Sequence, residues 1–461
     1  MSAFALASLL VAAALPQAKP KVSFEEKSLA IVDDDVTPKD ITFSPDGKNV
    51  AYRGIRTNGR MFVAVNKQKG PEYENVSEGI SWGSGGKVAY RAANGGQWQI
   101  VVGGAPMGGS YQTVGKPVYS PDGSKMAFEV SRGVGGANDS KGWCMMVAGQ
   151  KGPDFAACGP PVWAADSQLV AYTVRIGKAG TAQRAFYTTH AVVIGTKVGP
   201  ESEEVSTPLM APVGHGVAYR SRDGETWSMV VDGKTVFQAT DMGEPFWSPD
   251  GKRVAFKASK EIGKWMMVVD GKVMATHSLV GDPDWSNDSK KIAFMAQDGA
   301  EAFVMLGDQK LATFPGVGTP VISPDGITVA FPARETTKWM VVVGDKRGAP
   351  DYEILNTPLF SPDGKRVAYF AMWKFKWIMV IDDAKSEMLD QVGHVAWNPQ
   401  STKAAWTAAK DGKWYMIVQY RRNEAFDEIV TPPHWNAEGT KVAFGARKGA
   451  DLSWRVITAP E

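Results

Sequence analysis

One short sequence recurs along the whole chain and limits what the chain can fold into. Its clearest copy, residues 359–371, reads LFSPDGKRVAYFA. Asp-Gly tolerates positive φ angles, and Pro fits where no ladder donor is needed, so the pattern predicts two short strands joined by a tight turn. Eleven copies occur, mostly 36 to 39 residues apart. They begin at Ile41, Ile80, Val118, Val162, Val213, Phe246, Asp284, Val321, Leu359, Val395 and His434.

Each copy predicts four strands, as in one blade of a β-propeller. Strand one ends at the Ser-Pro-Asp-Gly turn, strand two is the Val-Ala-Tyr type of run, and strand three is typified by residues 264–271. A short fourth strand is expected at pieces such as residues 352–355. Both faces of strand three are apolar, which indicates burial on both sides. The sequence therefore predicts an all-β fold, a β-propeller of about eleven four-stranded blades.

The two ends of the chain indicate how the propeller closes. The last copy stops after a third strand, whereas residues 29–33 form a strand-like piece with no copy of their own. We expect this piece, within an N-terminal segment at 21–40, to complete the final blade and remove an exposed edge. Because propellers typically have four to eight blades, the sequence favours two rings, with a boundary near residues 200–245. Nearly constant spacing across the repeats of 41–461 favours the alternative, one large ring.

Residues 1–20 have the features of an export signal. Residues 4–15 form an apolar run of signal-peptide length, too short to span a bilayer as a helix, and small residues follow it. No Lys or Arg precedes the run, so a docked or disordered tail is the alternative. We predict a signal peptide, export to the periplasm or the extracellular space, and no transmembrane segment after the signal region.

The Ser-Pro-Asp-Gly-Lys-Arg-Val-Ala-Phe/Tyr sequence resembles the TolB-type propeller repeat, also called the WD-like or PD-type repeat. The match is closest at the copies that contain Ser44, Ser120, Ser248, Ser323 and Ser361, and in degenerate form it covers nearly everything from residue 41 onward. Family members include a periplasmic component of the Tol–Pal envelope system and the propeller halves of some serine peptidases. This sequence has no recognisable appended domain. The resemblance implies a binding platform in the bacterial envelope and transfers no site residues.

Residues suited to catalysis or metal binding form no recognisable constellation. The Gly-x-Ser-x-Gly elbow that a related peptidase needs is absent, and no catalytic residue or cofactor is assigned. The histidines lie in different copies without paired metal spacing, although a channel metal on His215, His394 and His434 stays open. Asp282, Asp284 and Asp288 are interpreted as turn and strand-edge residues, with calcium as the alternative. The eight tryptophans that begin strand three are interpreted as packing between blades: Trp98, Trp143, Trp227, Trp265, Trp339, Trp377, Trp414 and Trp454.

The two cysteines lie at equal distances from the middle of a predicted turn. Cys144 falls in strand three and Cys158 in the expected strand four of the third copy, each seven residues from Lys151. This spacing predicts that they face each other on adjacent strands. Export permits such a bridge, so we predict a Cys144–Cys158 disulfide, with two buried thiols as the alternative.

The loops between strands two and three vary most and are the expected binding region, because loops on a rigid scaffold usually carry function. Trp373, Lys374, Phe375 and Lys376 are the candidate ligand-binding residues, since aromatic and cationic side chains anchor interfaces; an ordinary solvated rim is the alternative. We predict a noncatalytic, monomeric propeller that binds a protein or peptide of the envelope. Carbohydrate binding and hydrolase or lyase activity are the alternatives. A net charge of +2 gives no electrostatic basis for nucleic-acid binding.

Overall fold

The computed structural model describes residues 22–131, 133, 142–181 and 184–460. The predicted signal peptide lies outside these residues. The described residues form eleven antiparallel sheets, numbered here as blades 1 to 11 in chain order. Apart from one 3₁₀ turn at Ser84–Gly86, the described elements are all strands. Within this part of the chain, no helix has the length and apolar character needed to cross a membrane. The all-β prediction is confirmed.

Each blade has an inner, second, third and outer strand, and the inner strand is usually interrupted by a Pro-containing link. The inner strands, in chain order, are Val36–Phe43, Asn75–Val76 with Ser81–Trp82, Thr113–Val114 with Val118–Tyr119, Ala157–Cys158 with Val162–Trp163, Glu204–Val205 with Leu209–Met210, Asp241–Met242 with Phe246–Trp247, Leu279–Val280 with Asp284–Trp285, Gly316–Val317 with Val321–Ile322, Ile354–Leu355 with Leu359–Phe360, Gln391–Trp397, and Glu428–Ile429 with His434–Trp435.

The second and third strands form the centre of each blade. The second strands are Val50–Arg56, Val88–Asn94, Met126–Ser131, Val170–Thr181, Val217–Asp223, Val254–Glu261, Ile292–Asp298, Val329–Arg334, Val367–Trp373, Ala404–Lys410 and Lys441–Lys448. The third strands are Met61–Val65, Gln97–Val102, Trp143–Val147, Arg184–Ile194, Thr226–Val231, Lys264–Val269, Glu301–Leu306, Trp339–Val343, Lys376–Ile381, Lys413–Val418 and Asp451–Thr458. In blade 6, Met266 to Val269 are all buried, as expected for a strand covered on both faces.

The outer strands follow the turn after strand three. They are Gln68–Lys69, Ala105–Tyr111, Gln150–Phe155, Lys197–Val198, Lys234–Ala239, Lys272–His277, Gln309–Phe314, Lys346–Arg347, Ala384–Lys385 and Arg421–Phe426, with Lys27–Ile31 in blade 11. The sequence-based position of strand four was wrong. Ile354–Leu355 belongs to the inner strand of blade 9, where it pairs with Val367–Trp373. The chain has already crossed to the next blade at this point.

The blades form one closed series, and the two-ring arrangement favoured from the sequence is not what the structure shows. Among the described residues, a hydrophobic cluster joins every pair of consecutive blades. Packing is continuous through residues 200–245, where the expected boundary would lie. Blade 11 packs on blade 1, with the rings of Trp454 and Phe43 5.7 Å apart. Lys27–Ile31 pairs with Asp451–Thr458 and so joins the two ends of the chain.

The Ser-Pro-Asp-Gly turn is stabilised by its own side chains. In blade 9 the buried hydroxyl of Ser361 donates to Asp363 at 2.6 Å and accepts the N–H of Arg366 at 3.0 Å. Gly364 has a φ of +72°, which a side chain would make unfavourable. The turn also contacts the next blade, because the N–H of Asp363 donates to Ser401 Oγ at 2.9 Å. Ser401 stands at the glycine position of the degenerate turn in blade 10, so this departure from the repeat fastens two blades together.

Candidate binding surface on the hairpin rim

The ring has two rims, which are named here by the connections they carry. The hairpin rim holds the connections between second and third strands and the links to the next blade. The turn rim holds the Ser-Pro-Asp-Gly turns and the connections between third and outer strands. The structure brings the four predicted residues together in one connection of the hairpin rim. Trp373 ends the second strand of blade 9 and pairs with Lys376, which begins the third strand, while Lys374 and Phe375 form the turn.

The backbone of this turn is unusual for its residue types. Lys374 and Phe375 have φ angles of 52° and 60°, as a two-residue turn of type I′ requires. Equivalent turns use tolerant residues, such as Gly95-Gly96 in blade 2 and Asp411-Gly412 in blade 10. A left-handed conformation at residues other than glycine costs roughly 1–2 kcal/mol each. Such strain concentrates at ligand-binding and catalytic sites, which makes this hairpin a functional candidate.

One side chain of the hairpin projects into solvent at its apex, whereas those at its base contact other residues. Phe375 is 85% exposed and forms the apex. Trp373 packs partly against the hydrophobic cluster between blades 8 and 9, with Lys374 Nζ 4.5 Å and Lys385 Nζ 4.9 Å from its ring centroid. Lys376 is engaged by Asp390 at 2.5 Å. Phe375 is therefore the side chain of this hairpin that is open to solvent, and Trp373 packs beneath it.

A groove between blades 8 and 9 adjoins the hairpin and was not predicted from the sequence. It is a cavity of about 310 Å³ lined by Gly318, Thr319, Pro332, Trp339, Glu353, Leu355 and Thr357. The N–H of Glu353 donates to the carbonyl of Met372 at 3.0 Å, which fixes the groove against the hairpin. The groove joins residues from two blades, so spacing within one repeat carries no signal for it.

Glu353 is the polar group of this groove. Its Oε1 accepts a hydrogen bond from Lys338 Nζ at 2.5 Å, and this contact lowers the pKa of the carboxyl group. Its Oε2 is buried and has no hydrogen-bond partner among the described residues. A buried acceptor without a partner is costly unless a ligand supplies a donor. The groove therefore combines an apolar wall with a hydrogen-bond acceptor.

The structure corrects the geometry behind the predicted disulfide. Asp154, not Cys158, pairs with Cys144 in blade 3. Cys158 lies in the inner strand of blade 4 and pairs with Val174, because the chain leaves blade 3 after Phe155. Both cysteines are among the described residues, and no disulfide joins them. Burial, together with the nearby Cys144, raises the pKa of Cys158 to about 12, so its thiol is protonated at neutral pH.

The histidines and aspartates considered from the sequence have separate positions. His215 bonds to Asp166 at 2.6 Å on the turn rim, whereas His394 and His434 lie in the inner strands of blades 10 and 11. Asp282 pairs with Lys257, and the partly buried Asp284 accepts the N–H of Ile322 in the next blade at 2.8 Å. Within the described ranges, no three His, Cys, Asp or Glu residues cluster as metal ligands would.

No family model and no curated protein sequence matches this chain. It is similar to the Dos1 propeller, at 11% identity over 64% of this chain and 92% of that one, with a TM-score of 0.35. TolB from Acinetobacter baumannii matches at 13% identity over 63% and 81%, with a TM-score of 0.29. A eukaryotic initiation factor matches at 12% identity over 89% and 96%, with a TM-score of 0.38.

These similarities carry no argument about function. The propeller fold is seen in the structure of this chain itself. Its eleven blades confirm the propeller that the TolB-type repeat predicts.

Proposed function

We propose that this chain is a noncatalytic propeller scaffold that binds a protein or peptide of the bacterial cell envelope. The binding surface consists of the Trp373–Lys376 hairpin and the adjoining groove around Glu353. One observation carries the proposal: Phe375 is 85% exposed at the apex of a turn whose two residues both have left-handed φ angles. Stability alone would favour Asn-Gly at this turn. We therefore infer that the strained backbone is kept because it holds the Phe375 ring in position to contact a partner.

The chemistry of the surface suits an extended polypeptide. An aromatic apex and a partly apolar groove supply contact area, and Lys374 supplies a cation that no carboxylate engages within the described part of the chain. Glu353 Oε2 offers an acceptor for a backbone or side-chain donor. Aromatic anchors with a few polar groups are typical of protein interfaces.

A scaffold role is favoured over catalysis because the polar groups of this surface do not form a nucleophile–base pair. Glu353 is engaged by Lys338 and its pKa is lowered, whereas a general acid or base working near neutral pH needs a raised carboxyl pKa. Asp284 has a raised pKa, but its carboxylate bonds to the backbone of Ile322 in the next blade, which suits a structural role. The envelope location follows from the predicted export signal at residues 1–20.

The test compares captured proteins between matched variants. Immobilised wild-type protein, Phe375→Ser and Ile327→Ser are incubated with envelope extract, and bound proteins are identified by mass spectrometry. Ile327 is 70% exposed on the turn rim of blade 8 and controls for removal of an exposed apolar side chain. We expect wild type and Ile327→Ser to capture the same protein and Phe375→Ser to lose it.

Two outcomes would contradict the proposal. Capture of the same protein by Phe375→Ser would remove the hairpin from the interface. Recovery of no protein by wild type, together with binding on a glycan array, would favour the carbohydrate-binding alternative.

A further inference from the structure

A repeated arginine site lies between neighbouring blades at the turn rim. In blade 6, Arg253 Nε bonds to Asp270 of its own blade at 2.9 Å, and its guanidinium carbon lies 5.0 Å from the ring centroid of Trp285 in blade 7. Blade 9 repeats this arrangement with Arg366, Asp382 and Trp397, at 2.7 Å and 5.0 Å. A guanidinium group is suited to both contacts at once, since its plane stacks on an indole while its N–H groups bond a carboxylate.

Blade 5 keeps the carboxylate and the neighbouring ring but has no arginine. Asp232 corresponds to Asp270, Trp247 of blade 6 corresponds to Trp285, and Gly216 stands at the arginine position. Asp232 Oδ1 accepts the N–H of Val217 at 2.9 Å, as Asp270 accepts that of Val254 at 3.0 Å. The carboxylate of Asp232 is thus held in the same way.

The ring is held in the same way as well. Trp247 Nε1 donates to the carbonyl of Leu209 at 3.2 Å, and Trp285 Nε1 donates to that of Phe246 at 3.2 Å. Blade 5 therefore presents the two partners that the arginine has in blades 6 and 9, with glycine at the arginine position.

A cavity occupies this position. It has a volume of about 580 Å³ and is lined by residues that include Gly216, Asp232, Trp247, Val213 and Val236. A β carbon at Gly216 would lie 2.7 Å from the Trp247 ring, so the indole edge rests against the glycine backbone and the space lies beyond it. Val213 replaces the aspartate of the Ser-Pro-Asp-Gly turn and makes one wall apolar. The volume is within the range of small-ligand sites.

The charges around the cavity leave one carboxylate available. Asp270 is engaged by Arg253, and Asp250 accepts the Ser248 hydroxyl at 2.6 Å and the Lys252 N–H at 3.1 Å within its own turn. Asp232 has no cation within ion-pair distance in the part of the chain that the structure describes. The lining also contains Lys252 and His215, and the His215 ring bonds to Asp166 at 2.6 Å. Asp232 is therefore the carboxylate of this cavity that remains to meet an incoming cationic group.

We propose that this cavity, formed by Gly216, Asp232 and Trp247, binds an arginine side chain of a partner polypeptide. The incoming guanidinium takes the place that Arg253 and Arg366 occupy in blades 6 and 9, stacking on Trp247 and bonding to Asp232. The site lies on the turn rim, so it does not depend on the proposed function of the Trp373–Lys376 hairpin.

The test uses defined probes on the full chain. Binding of Nα-acetyl-arginine methylamide, at millimolar concentration, is followed by ligand-observed NMR, and the corresponding lysine and citrulline derivatives are measured in parallel. We expect the arginine derivative to bind, the lysine derivative to bind more weakly because it lacks the planar fork, and citrulline, which is uncharged, not to bind. An arginine-containing peptide, an arginine-free peptide of equal net charge and free arginine are then compared. We expect the arginine-containing peptide to bind most tightly, and equal binding of free arginine would contradict a polypeptide partner.

Asp232→Asn is the decisive variant, because its amide oxygen can still accept the Val217 N–H and asparagine tolerates the φ of 51° at this position. We expect it to weaken arginine binding about tenfold or more, as loss of a charge-assisted hydrogen bond does. Asp411→Asn, at a φ of 53° on the hairpin rim, is the matched control and should bind like wild type. The proposal is overturned if arginine does not bind, if citrulline binds equally, or if Asp232→Asn matches wild type.

Discussion

Replacing Lys374-Phe375 by Asn-Gly is expected to stabilise the protein while removing the proposed binding surface. Both native residues have left-handed φ angles of 52° and 60°. Asn-Gly is the preferred pair for a type I′ turn. Glycine removes the cost at position 375, about 1–2 kcal/mol, while asparagine retains part of the cost at position 374. Loss of the Lys374–Trp373 contact, 4.5 Å long, costs about 0.5 kcal/mol at an exposed position. The net expectation is a gain of about 1 kcal/mol in the free energy of unfolding.

The measurement is urea unfolding followed by tryptophan fluorescence, combined with the capture assay from envelope extract. The midpoint should rise with an unchanged dependence on urea, because the surface exposed on unfolding hardly changes. Capture of the partner should be lost in the same variant. Greater stability with lost binding is the signature of strain kept for function.

Blade 10 provides the reciprocal control. Gly412 occupies the second turn position with a φ of +74°, and a β carbon there would meet nothing within 4 Å. Gly412→Phe should therefore cost about 1 kcal/mol through the backbone alone and should not create a second binding site. The reasoning is refuted if the Asn-Gly variant is less stable than wild type, or if it captures the partner as well as wild type does.

Two further substitutions test the interior of the propeller. Burial raises the pKa of Asp284 to about 6, so the charged form of this carboxyl group opposes folding. The free energy of unfolding should therefore fall as the pH rises from about 4 to 6. Asp284→Asn should raise the urea midpoint at pH 7.5 and should give no gain below pH 4. Ser361→Ala should cost roughly 1–2 kcal/mol because it leaves the N–H of Arg366 without its acceptor. The Ser361 hydroxyl also lowers the pKa of Asp363. This interaction stabilises the folded protein above the unfolded-state pKa of the aspartate, and the stabilisation is lost on acidification. The urea midpoint of Ser361→Ala should therefore depend less on pH between pH 5 and 3 than that of wild type.

The blades could be predicted from the sequence because their signal is local. One turn contains the hydroxyl of Ser361, the carboxylate of Asp363 and the positive φ of Gly364. Because these groups interact within the turn, its structure can be predicted from its own residues. The number of rings depends on a contact between Phe43 and Trp454, which no repeat encodes. The predicted placement of Cys144 opposite Cys158 was wrong for a related reason, because spacing about a turn does not reveal where the chain crosses to the next blade.

The candidate site was predictable only in part. Trp373 to Lys376 could be identified as an aromatic and basic loop, but the sequence did not show that Phe375 would project while Trp373 packs inward. The groove around Glu353 needed the structure, since Trp339 comes from blade 8 and Leu355 from blade 9. A site formed between two blades cannot be predicted from the sequence pattern of one repeat.

Residues that depart from the repeat are of two kinds. Some are explained by contacts within the fold, and the others indicate function. Ser401 departs from glycine but bonds to the neighbouring turn, so its change is explained by packing. Phe375 stands where blades 2 and 10 have glycine, and it contacts solvent. Gly216 stands where blades 6 and 9 have arginine, while Asp232 and Trp247 correspond to the partners of those arginines. Neither of these residues improves the fold, because the first adds strain and the second leaves Asp232 and Trp247 without the guanidinium that their counterparts contact. In a chain that supplies ten other blades for comparison, a local cost without a local compensation is the strongest internal argument for a ligand.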